Sequence, residues 1–210
     1  MGKIRARTDA ELAARKQEIL DAAARQLMTT DYDVITLATI AEETSISRTS
    51  MYTYYETKEA VFVDLLIQEY RRLEQKLRSE FCAPLTRDAF CRNLSHILWE
   101  QPILLKLLSL QLSVWDHRYD DKLVKRFVEE TQPYMQALDD ILELQFPGSD
   151  KKARNRFKLQ FSVYCNSLYA IEHLPASQID AMNKRSFFEE IPSGEQICYD
   201  GLMLLSVGLE

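Results

Sequence analysis

Residues 47–55 carry hydroxyl and basic side chains at positions that would share one face of a short helix. Because successive residues of a helix are about 100° apart around its axis, Ser47, Met51 and Tyr55 would lie on the packed face. The remaining positions carry polar side chains: Arg48, Thr49, Ser50, Tyr52, Thr53 and Tyr54. Hydroxyl groups can hydrogen-bond to base edges or phosphates, and an arginine can form two hydrogen bonds to guanine. Such a face suits the major groove of DNA, although a helix corner with solvated hydroxyls would show the same pattern.

Two neighbouring elements would hold this segment in place. Thr36 is a suitable N-cap for a short second helix. The apolar face of that helix follows at i, i+3, i+4 and i+7: Leu37, Ile40, Ala41 and Thr44. Residues 45–46 would form a turn, and Ser47 is the N-cap candidate of the third helix, predicted over residues 48–55. Thr57 could cap a long fourth helix that begins at Lys58, so Thr36 and Lys58 would flank the hydroxyl face.

The run from Ile35 to Phe62 resembles the DNA-binding domain of the tetracycline-repressor (TetR) family. The positions that carry the resemblance follow in a fixed order: Thr36, Ile40-Ala41, Ser47, Tyr52, Tyr55 and Lys58-Glu59. It extends over residues 12–65. The sequence departs from the family pattern at Ser45, where glycine is usual, and at Tyr55, where phenylalanine is usual. A serine in a left-handed conformation would cost about 1 kcal/mol, and the Tyr55 hydroxyl must reach a partner or water.

The resemblance implies that the partner is a double-stranded DNA operator. Thr36, Tyr52 and Lys58 would contact phosphates. Groove or backbone contacts would come from the third helix and its end: Arg48, Thr49, Ser50, Thr53 and Tyr54. The N-terminal arm carries three basic residues: Lys3, Arg5 and Arg7. It would either enter an adjacent minor groove or remain a solvated tail.

Only 5 Gly and 6 Pro occur among 210 residues, which favours long helices. We therefore predict an all-α chain. The resemblance divides it into a three-helix helix-turn-helix DNA-binding domain with its N-terminal arm, residues 1–57, and a larger helical ligand-binding and dimerisation domain, residues 58–210. The fourth helix, to about Phe81, would be shared by both. Further helices are predicted over residues 86–100, 102–115, 120–145, 150–174 and 193–209, with Pro133 kinking or splitting the third of these.

The last two long helices carry apolar residues at a spacing that suits helix pairing. On the first of them the spacing alternates between four and three residues: Phe157, Phe161, Tyr164, Leu168 and Ile171. The last helix adds Leu202 and Leu205 to the candidate interface. The resemblance implies a homodimer in which these helices form a four-helix bundle. A seam within one chain's own core is the alternative.

Aromatic and polar residues of the larger domain are candidates for a ligand pocket. They are Tyr70, Phe90, His96, Trp99, Trp115, Tyr134 and Met135. The resemblance implies a small-molecule effector of unknown identity, while ordinary core aromatics would account for any single one of these residues. The three histidines are too scattered for a metal site, and no cofactor is expected.

The net charge is −6, and residues 1–58 carry eight basic against nine acidic side chains. A DNA-facing surface must therefore arise from geometry, with the acidic groups turned away. The 4 cysteines lack CxxC spacing and no secretory signal precedes them, which indicates reduced, mostly buried thiols in a cytoplasmic protein. A redox sensor is the less favoured interpretation. The most apolar stretch, residues 103–115, is too short to cross a membrane.

We predict a transcriptional regulator rather than an enzyme, since no nucleophile–base pair, phosphate-binding glycine loop or metal spacing occurs in the sequence. The expected mechanism is a repressor released from its operator when a small molecule binds the C-terminal domain and shifts the fourth helix. A helix-turn-helix DNA-binding protein without a small-molecule ligand is the alternative.

Overall fold

The computed structural model describes residues 9–114, 121–174, 177, 178, 180, 182 and 192–209, and no β-strand occurs among them. The helices with complete bounds are α1 (Asp9–Thr29), α2 (Leu37–Glu42), α3 (Arg48–Met51), α4 (Lys58–Glu80), α5 (Arg87–Trp99), α6 (Pro102–Val114), α7 (Asp121–Gln145), α8 (Lys151–Glu172) and α9 (Gly194–Ser206). Short 3-10 turns lie at Tyr32–Val34 and Val207–Leu209. The predicted all-α fold class is confirmed.

The helices of the N-terminal region begin at hydroxyl side chains, as their sequence predicts. The side chains of Thr36, Ser47 and Thr57 each accept a hydrogen bond from the backbone N–H three residues later, at 3.1, 3.1 and 3.2 Å. Each bond satisfies one of the backbone donors that a helix start leaves without a partner. The three caps therefore fix where α2, α3 and α4 begin.

The chain forms two compact units. Among the described residues, unit 1 comprises residues 9–68 and 121–127, and unit 2 comprises residues 69–114 and 128–209. The chain passes from unit 1 to unit 2 within α4, after Gln68, and again within α7, after Phe127. The first turns of α4 therefore belong to unit 1 and its later turns to unit 2.

Unit 1 has a small apolar core. Its fully buried side chains come from α1, α2, α3 and α4: Ile19, Ala22, Ala23, Leu27, Ile40, Met51 and Val61. Burying a large aliphatic side chain contributes about 1.5–3 kcal/mol. Since α3 has only four residues, Met51 is its one fully buried anchor in this core.

In unit 2, α6 packs against α8, and α9 packs against α5 and α8. The core contains side chains that are no more than 1% exposed: Phe90, Leu94, Leu104, Phe161, Cys198 and Leu202. The apolar helix α6 buries Leu104, Leu105, Leu107 and Leu108. Across the described ranges, no helix has the length and apolar character that a membrane span requires.

An ion-pair cluster connects α7 and α8 within unit 2. The Lys158 ammonium lies 2.8 Å from an Asp139 carboxylate oxygen, and the Arg154 guanidinium approaches the same carboxylate at 3.5 Å. Arg154 also donates a 2.8 Å hydrogen bond to the Ser149 backbone oxygen.

The predicted split of α7 at Pro133 does not occur, since the helix continues to Gln145.

Candidate nucleic-acid interface

The start of α2 is fixed on α1 by a polar network in unit 1. The Thr39 side chain accepts a hydrogen bond from the Thr36 backbone N–H at 3.0 Å and donates to the Gln26 side chain at 3.0 Å. The Gln26 amide donates to the Thr39 backbone oxygen at 2.7 Å. Thr36 is exposed beside this network, as a phosphate-contacting residue must be.

Ser45, in the turn between α2 and α3, is held by a carboxylate of α1. The Ser45 backbone N–H donates to Glu18 at 2.5 Å, and its hydroxyl donates to the same carboxylate at 3.1 Å. Arg15 contacts both Ser45 and Glu18. These hydrogen bonds, led by the one from the Ser45 backbone, lower the pKa of Glu18. A serine at this position therefore makes bonds that a glycine side chain could not.

The recognition segment, which comprises residues 48–55, has less regular helix than its sequence predicts. The α-helix α3 ends at Met51, and a hydrogen-bonded turn continues from there, with the Tyr54 and Tyr55 N–H groups donating to the Met51 oxygen at 2.9 and 3.1 Å. The Thr53 hydroxyl donates to the Ser50 oxygen at 2.7 Å. Local hydrogen bonds of serine and threonine compete with a regular helix. The turn nevertheless keeps both Met51 and Tyr55 buried, at 0% and 5% exposure.

The opposite side of this segment is open to solvent. Thr49 and Thr53 are exposed, and Tyr52 is 63% exposed. Ser50 and Tyr54 are half-buried. Ser47, which we placed on the packed face, is exposed because it serves as the N-cap of α3. The segment therefore presents hydroxyl groups of threonine and tyrosine outward.

The two basic residues of the predicted contact set are both engaged within the chain. The Arg48 guanidinium forms an ion pair with Glu42. The Lys58 ammonium donates to the backbone oxygens of Tyr32 and Asp33 at 2.8 and 3.4 Å, and lies 4.4 Å from the Tyr32 ring centre. Lys58 therefore anchors the connection between α1 and α2. Its predicted phosphate contact would be made in addition to, or in exchange for, these bonds.

The Tyr55 hydroxyl has the partner that its sequence position requires. It donates to the Asp64 carboxylate at 2.9 Å, and the Arg126 guanidinium donates to the other oxygen of that carboxylate. Burial, together with the nearby Asp64 carboxylate, raises the pKa of Tyr55. Asp64 and Arg126 carry no motif in the sequence, and our sequence analysis did not identify them. The arm residues Lys3, Arg5 and Arg7 lie outside the described residues.

Two of the predicted pocket residues of unit 2 lie side by side. Tyr70 and Tyr134 are adjacent, with ring centres 4.8 Å apart, and burial raises the pKa of both. Phe90 lies instead in an aromatic core cluster with Phe81 and Phe146. Of the other candidates, His96 is exposed beside Glu195, Trp99 contacts Gly194, and Met135 is 39% exposed. Trp115 lies outside the described residues.

The predicted dimer seam lies largely in the core of its own unit. Phe157, Phe161, Leu168 and Leu202 are no more than 2% exposed within a single chain. The Tyr164 hydroxyl donates to the Ile197 oxygen at 2.6 Å, and its ring covers Gly201. Leu205 is half-buried, and the Ile171 side chain lies outside the described residues. These contacts match the intramolecular alternative that the spacing left open.

Other apolar residues of the same helices are exposed. They are Leu159 at 68%, Val163 at 58%, Leu204 at 76% and Val207 at 54%. Leu159 and Val163 are four residues apart on α8, so they share one helix face. Leu204 lies on α9, and Val207 begins the 3-10 turn that follows α9. This spacing is visible in the sequence, but the buried seam gave the stronger signal.

The chain is thus a helix-turn-helix protein with a second, larger helical unit. Residues 19–65 match the family model described as bacterial regulatory proteins of the tetR family. No curated protein matches the sequence significantly.

Solved structures share the fold along nearly the whole chain. The fatty acid degradation regulator FadR from Bacillus halodurans is 17% identical, with 91% of this chain and 94% of that chain covered and a TM-score of 0.59. Thermus thermophilus FadR, a TetR-family repressor solved with lauroyl-CoA, is 16% identical, with 92% and 94% covered and a TM-score of 0.58. A TetR-family regulator from Marinobacter aquaeolei is 13% identical, with 94% and 98% covered and a TM-score of 0.55. The N-terminal helix-turn-helix domain thus matches the tetR family model, and the solved structures share the overall fold of the chain.

Proposed function

We propose that the chain is a DNA-binding transcriptional regulator that contacts an operator through the exposed face of α3 and the turn after it. The observation that carries the proposal is the division of this segment into a buried side, Met51 and Tyr55, and an exposed hydroxyl side, Thr49, Tyr52 and Thr53. Core contacts hold the backbone, so the exposed groups are available for a major groove. Such a protein would act in the cytoplasm, where the bacterial chromosome lies.

Selection of duplexes from a random pool tests this proposal. The wild-type chain should enrich one sequence class, and Arg48→Ala and Thr49→Ala should change the preferred bases or abolish enrichment, because both remove groups from the exposed face. Thr29→Ala is the matched control, since Thr29 is an exposed threonine at the end of α1. Enrichment of no sequence by the wild-type chain would refute the proposed function.

A homodimer is the assembly that this function requires, because two helix-turn-helix units can reach half-sites about 34 Å apart. We infer that the partner copy covers the exposed apolar residues of α8 and of the end of α9, namely Leu159, Val163, Leu204 and Val207. These four residues replace the buried seam as the proposed centre of the interface. Exposed apolar residues on α8 and at the end of α9 suit isologous pairing with a second copy.

Sedimentation velocity measures the assembly directly. Val163→Lys or Leu204→Lys should convert a dimer into a monomer, because each substitution places a charge in an apolar interface. Val128→Lys is the control, since Val128 is 61% exposed and belongs to α7 rather than to α8 or α9. A wild-type monomer, or equal dissociation by all three variants, would contradict this assignment.

For the effector, we propose a site beside Tyr70 and Tyr134 in unit 2, where a half-buried and a buried tyrosine ring lie together. Ligand binding there would release the protein from its operator by shifting α4, the helix that runs from unit 1 into unit 2. The ligand must bind the two states with different affinity, and DNA must change ligand affinity by the same factor. Acyl-CoA thioesters belong in the first set of compounds, because Thermus thermophilus FadR was solved with lauroyl-CoA.

Fluorescence anisotropy of a labelled operator, titrated with each compound, distinguishes an effector-released repressor from a regulator without a ligand. A true effector should raise the Kd for DNA by about five-fold or more, and Tyr134→Phe should alter the effector concentration required. If compounds bind unit 2 without changing the Kd for DNA, the protein binds DNA independently of those ligands and the release mechanism fails.

A further inference from the structure

A chain of polar contacts inside unit 1 connects the end of the recognition segment to the start of α7. Asp64, on α4, accepts hydrogen bonds from the Tyr55 hydroxyl on one oxygen and from the Arg126 guanidinium on the other. The Asp64 side chain is only 16% exposed, and that of Arg126 is 41% exposed. One carboxylate therefore links two elements that are distant in sequence.

This link acts on α3, the element of the site that is least able to hold its position by its own hydrogen bonds. The regular helix α3 has four residues, so its position depends on contacts made by Met51 and Tyr55 rather than on its own hydrogen bonds. An apolar ring at residue 55 could slide or rotate within its contacts. The Tyr55 hydroxyl bonds directionally to a charged acceptor, and such bonds are stronger than those between neutral groups.

Arg126 orients that acceptor. A carboxylate with a single donor can rotate about its χ angles, whereas donors on both oxygens define its plane. Lys16 also approaches the Tyr55 ring, at 5.4 Å from its centre, so α1 and α4 face the same tyrosine. The start of α7 thus helps, through Asp64, to hold Tyr55 at the end of the recognition segment.

We propose that Arg126 is a positioning residue for the DNA-contacting face: through Asp64 and Tyr55 it fixes the orientation of α3. This inference rests on the proposed DNA-binding function. Arg126 lies far beyond residues 19–65, the segment that matches the family. Helix α7 continues into unit 2 after Phe127. A movement of α7 that draws Arg126 away from Asp64 would loosen the Asp64–Tyr55 hydrogen bond and lower operator affinity.

Hydrogen–deuterium exchange of the DNA-free protein tests the positioning itself. Arg126→Gln should raise the exchange rate of amides in residues 47–57 by roughly five- to ten-fold, while amides of residues 19–27 keep their rates. Arg126→Lys, which retains a donor and its charge, should restore much of the protection. Lys122→Gln is the control, because it removes the same charge from an exposed residue one turn earlier on α7. Equal exchange in Arg126→Gln and Lys122→Gln would overturn the proposal.

A double-mutant cycle on operator affinity tests the route through Tyr55. Arg126→Gln should weaken binding by about five-fold in the wild-type background and by less than about two-fold in the Tyr55→Phe background, because the link is then already broken. Equal losses in both backgrounds would show that Arg126 acts independently of Tyr55. If the wild-type chain enriches no DNA sequence, the proposed function fails, whereas the exchange experiment still decides whether Arg126 positions α3.

Discussion

Glu42, the last residue of α2, forms an ion pair with Arg48, the first residue of α3. Both side chains are exposed, at 54% and 66%, so the pair contributes at most about 1 kcal/mol to stability. In the DNA-free protein, the proposed groove-contacting guanidinium is thus occupied by an acidic neighbour. A phosphate or a guanine can displace that neighbour at small cost.

Glu42→Gln should therefore bind the selected operator more tightly, by about three-fold at low salt, because Arg48 is released and a negative charge near DNA is removed. Fluorescence anisotropy over a salt series measures this. Glu43→Gln is the matched control, since Glu43 pairs with Arg25 instead. An equal gain in both variants would mean that general charge, rather than the release of Arg48, sets the affinity.

Glu18→Gln should loosen the turn of the helix-turn-helix motif. The carboxylate accepts two hydrogen bonds from Ser45, and the amide would lose its charge and one acceptor, at a cost of about 1 kcal/mol. The Tm of thermal unfolding and the affinity for the operator should both fall. Asp21→Asn, which removes the same charge from an exposed α1 residue bonded to Gln17, should change neither by a comparable amount.

Asp139 should make folding sensitive to acid. Its hydrogen bond from Lys158, with support from Arg154, lowers the pKa of Asp139 below the usual 3.8. Because the folded-state pKa is depressed, the stabilisation is present above pH 3.8 and is lost as the pH falls through the lowered value.

Asp139→Asn should reduce the free energy of unfolding at pH 7 by about 2 kcal/mol, because the buried Arg154 and the half-buried Lys158 lose their shared partner. It should also flatten the loss of stability below pH 4. Asp140→Asn provides the comparison, since Asp140 is 49% exposed and lies 3.5 Å from Arg78. Denaturant unfolding at several pH values measures this. Equal losses of unfolding free energy in the two variants would contradict the role assigned to Asp139.

Thiol reactivity should separate one cysteine from the other three. Cys82 is exposed, whereas Cys91, Cys165 and Cys198 are buried. Burial raises the pKa of all three buried thiols, and that of Cys198 to about 12, so they hold almost no thiolate at neutral pH. A thiol reagent at pH 8 should modify one group rapidly in the folded chain and four after denaturation. Rapid modification that persists in Cys82→Ser would revive the redox-sensor interpretation.

Local features of the fold could be predicted from the sequence because they depend on local chemistry. The caps Thr36, Ser47 and Thr57 precede helices as hydroxyl N-caps do, and the ends of the long helices fall within a few residues of their predicted positions. The predicted length of α3 was wrong: the helix ends at Met51, and in the turn that follows the Thr53 hydroxyl bonds to the Ser50 backbone oxygen.

Relationships between distant residues could not be predicted in this way. Asp64 and Arg126 are 62 positions apart and belong to no motif. The periodic seam through Phe157 and Phe161 predicts a helix-packing face, but periodicity is the same whether the partner helix belongs to one chain or to two. Only the burial of both rings within a single chain distinguishes these cases.

The separation of anchoring and contacting residues in the recognition segment has an evolutionary consequence. Met51 and Tyr55 hold the backbone, while Thr49, Tyr52 and Thr53 contribute little to the core of unit 1. Exposed positions of this kind tolerate exchange with effects on stability usually within about 0.5 kcal/mol. Operator preference can therefore diverge through a few surface substitutions while the scaffold is inherited unchanged, so paralogues could acquire new targets without passing through an unfolded intermediate sequence.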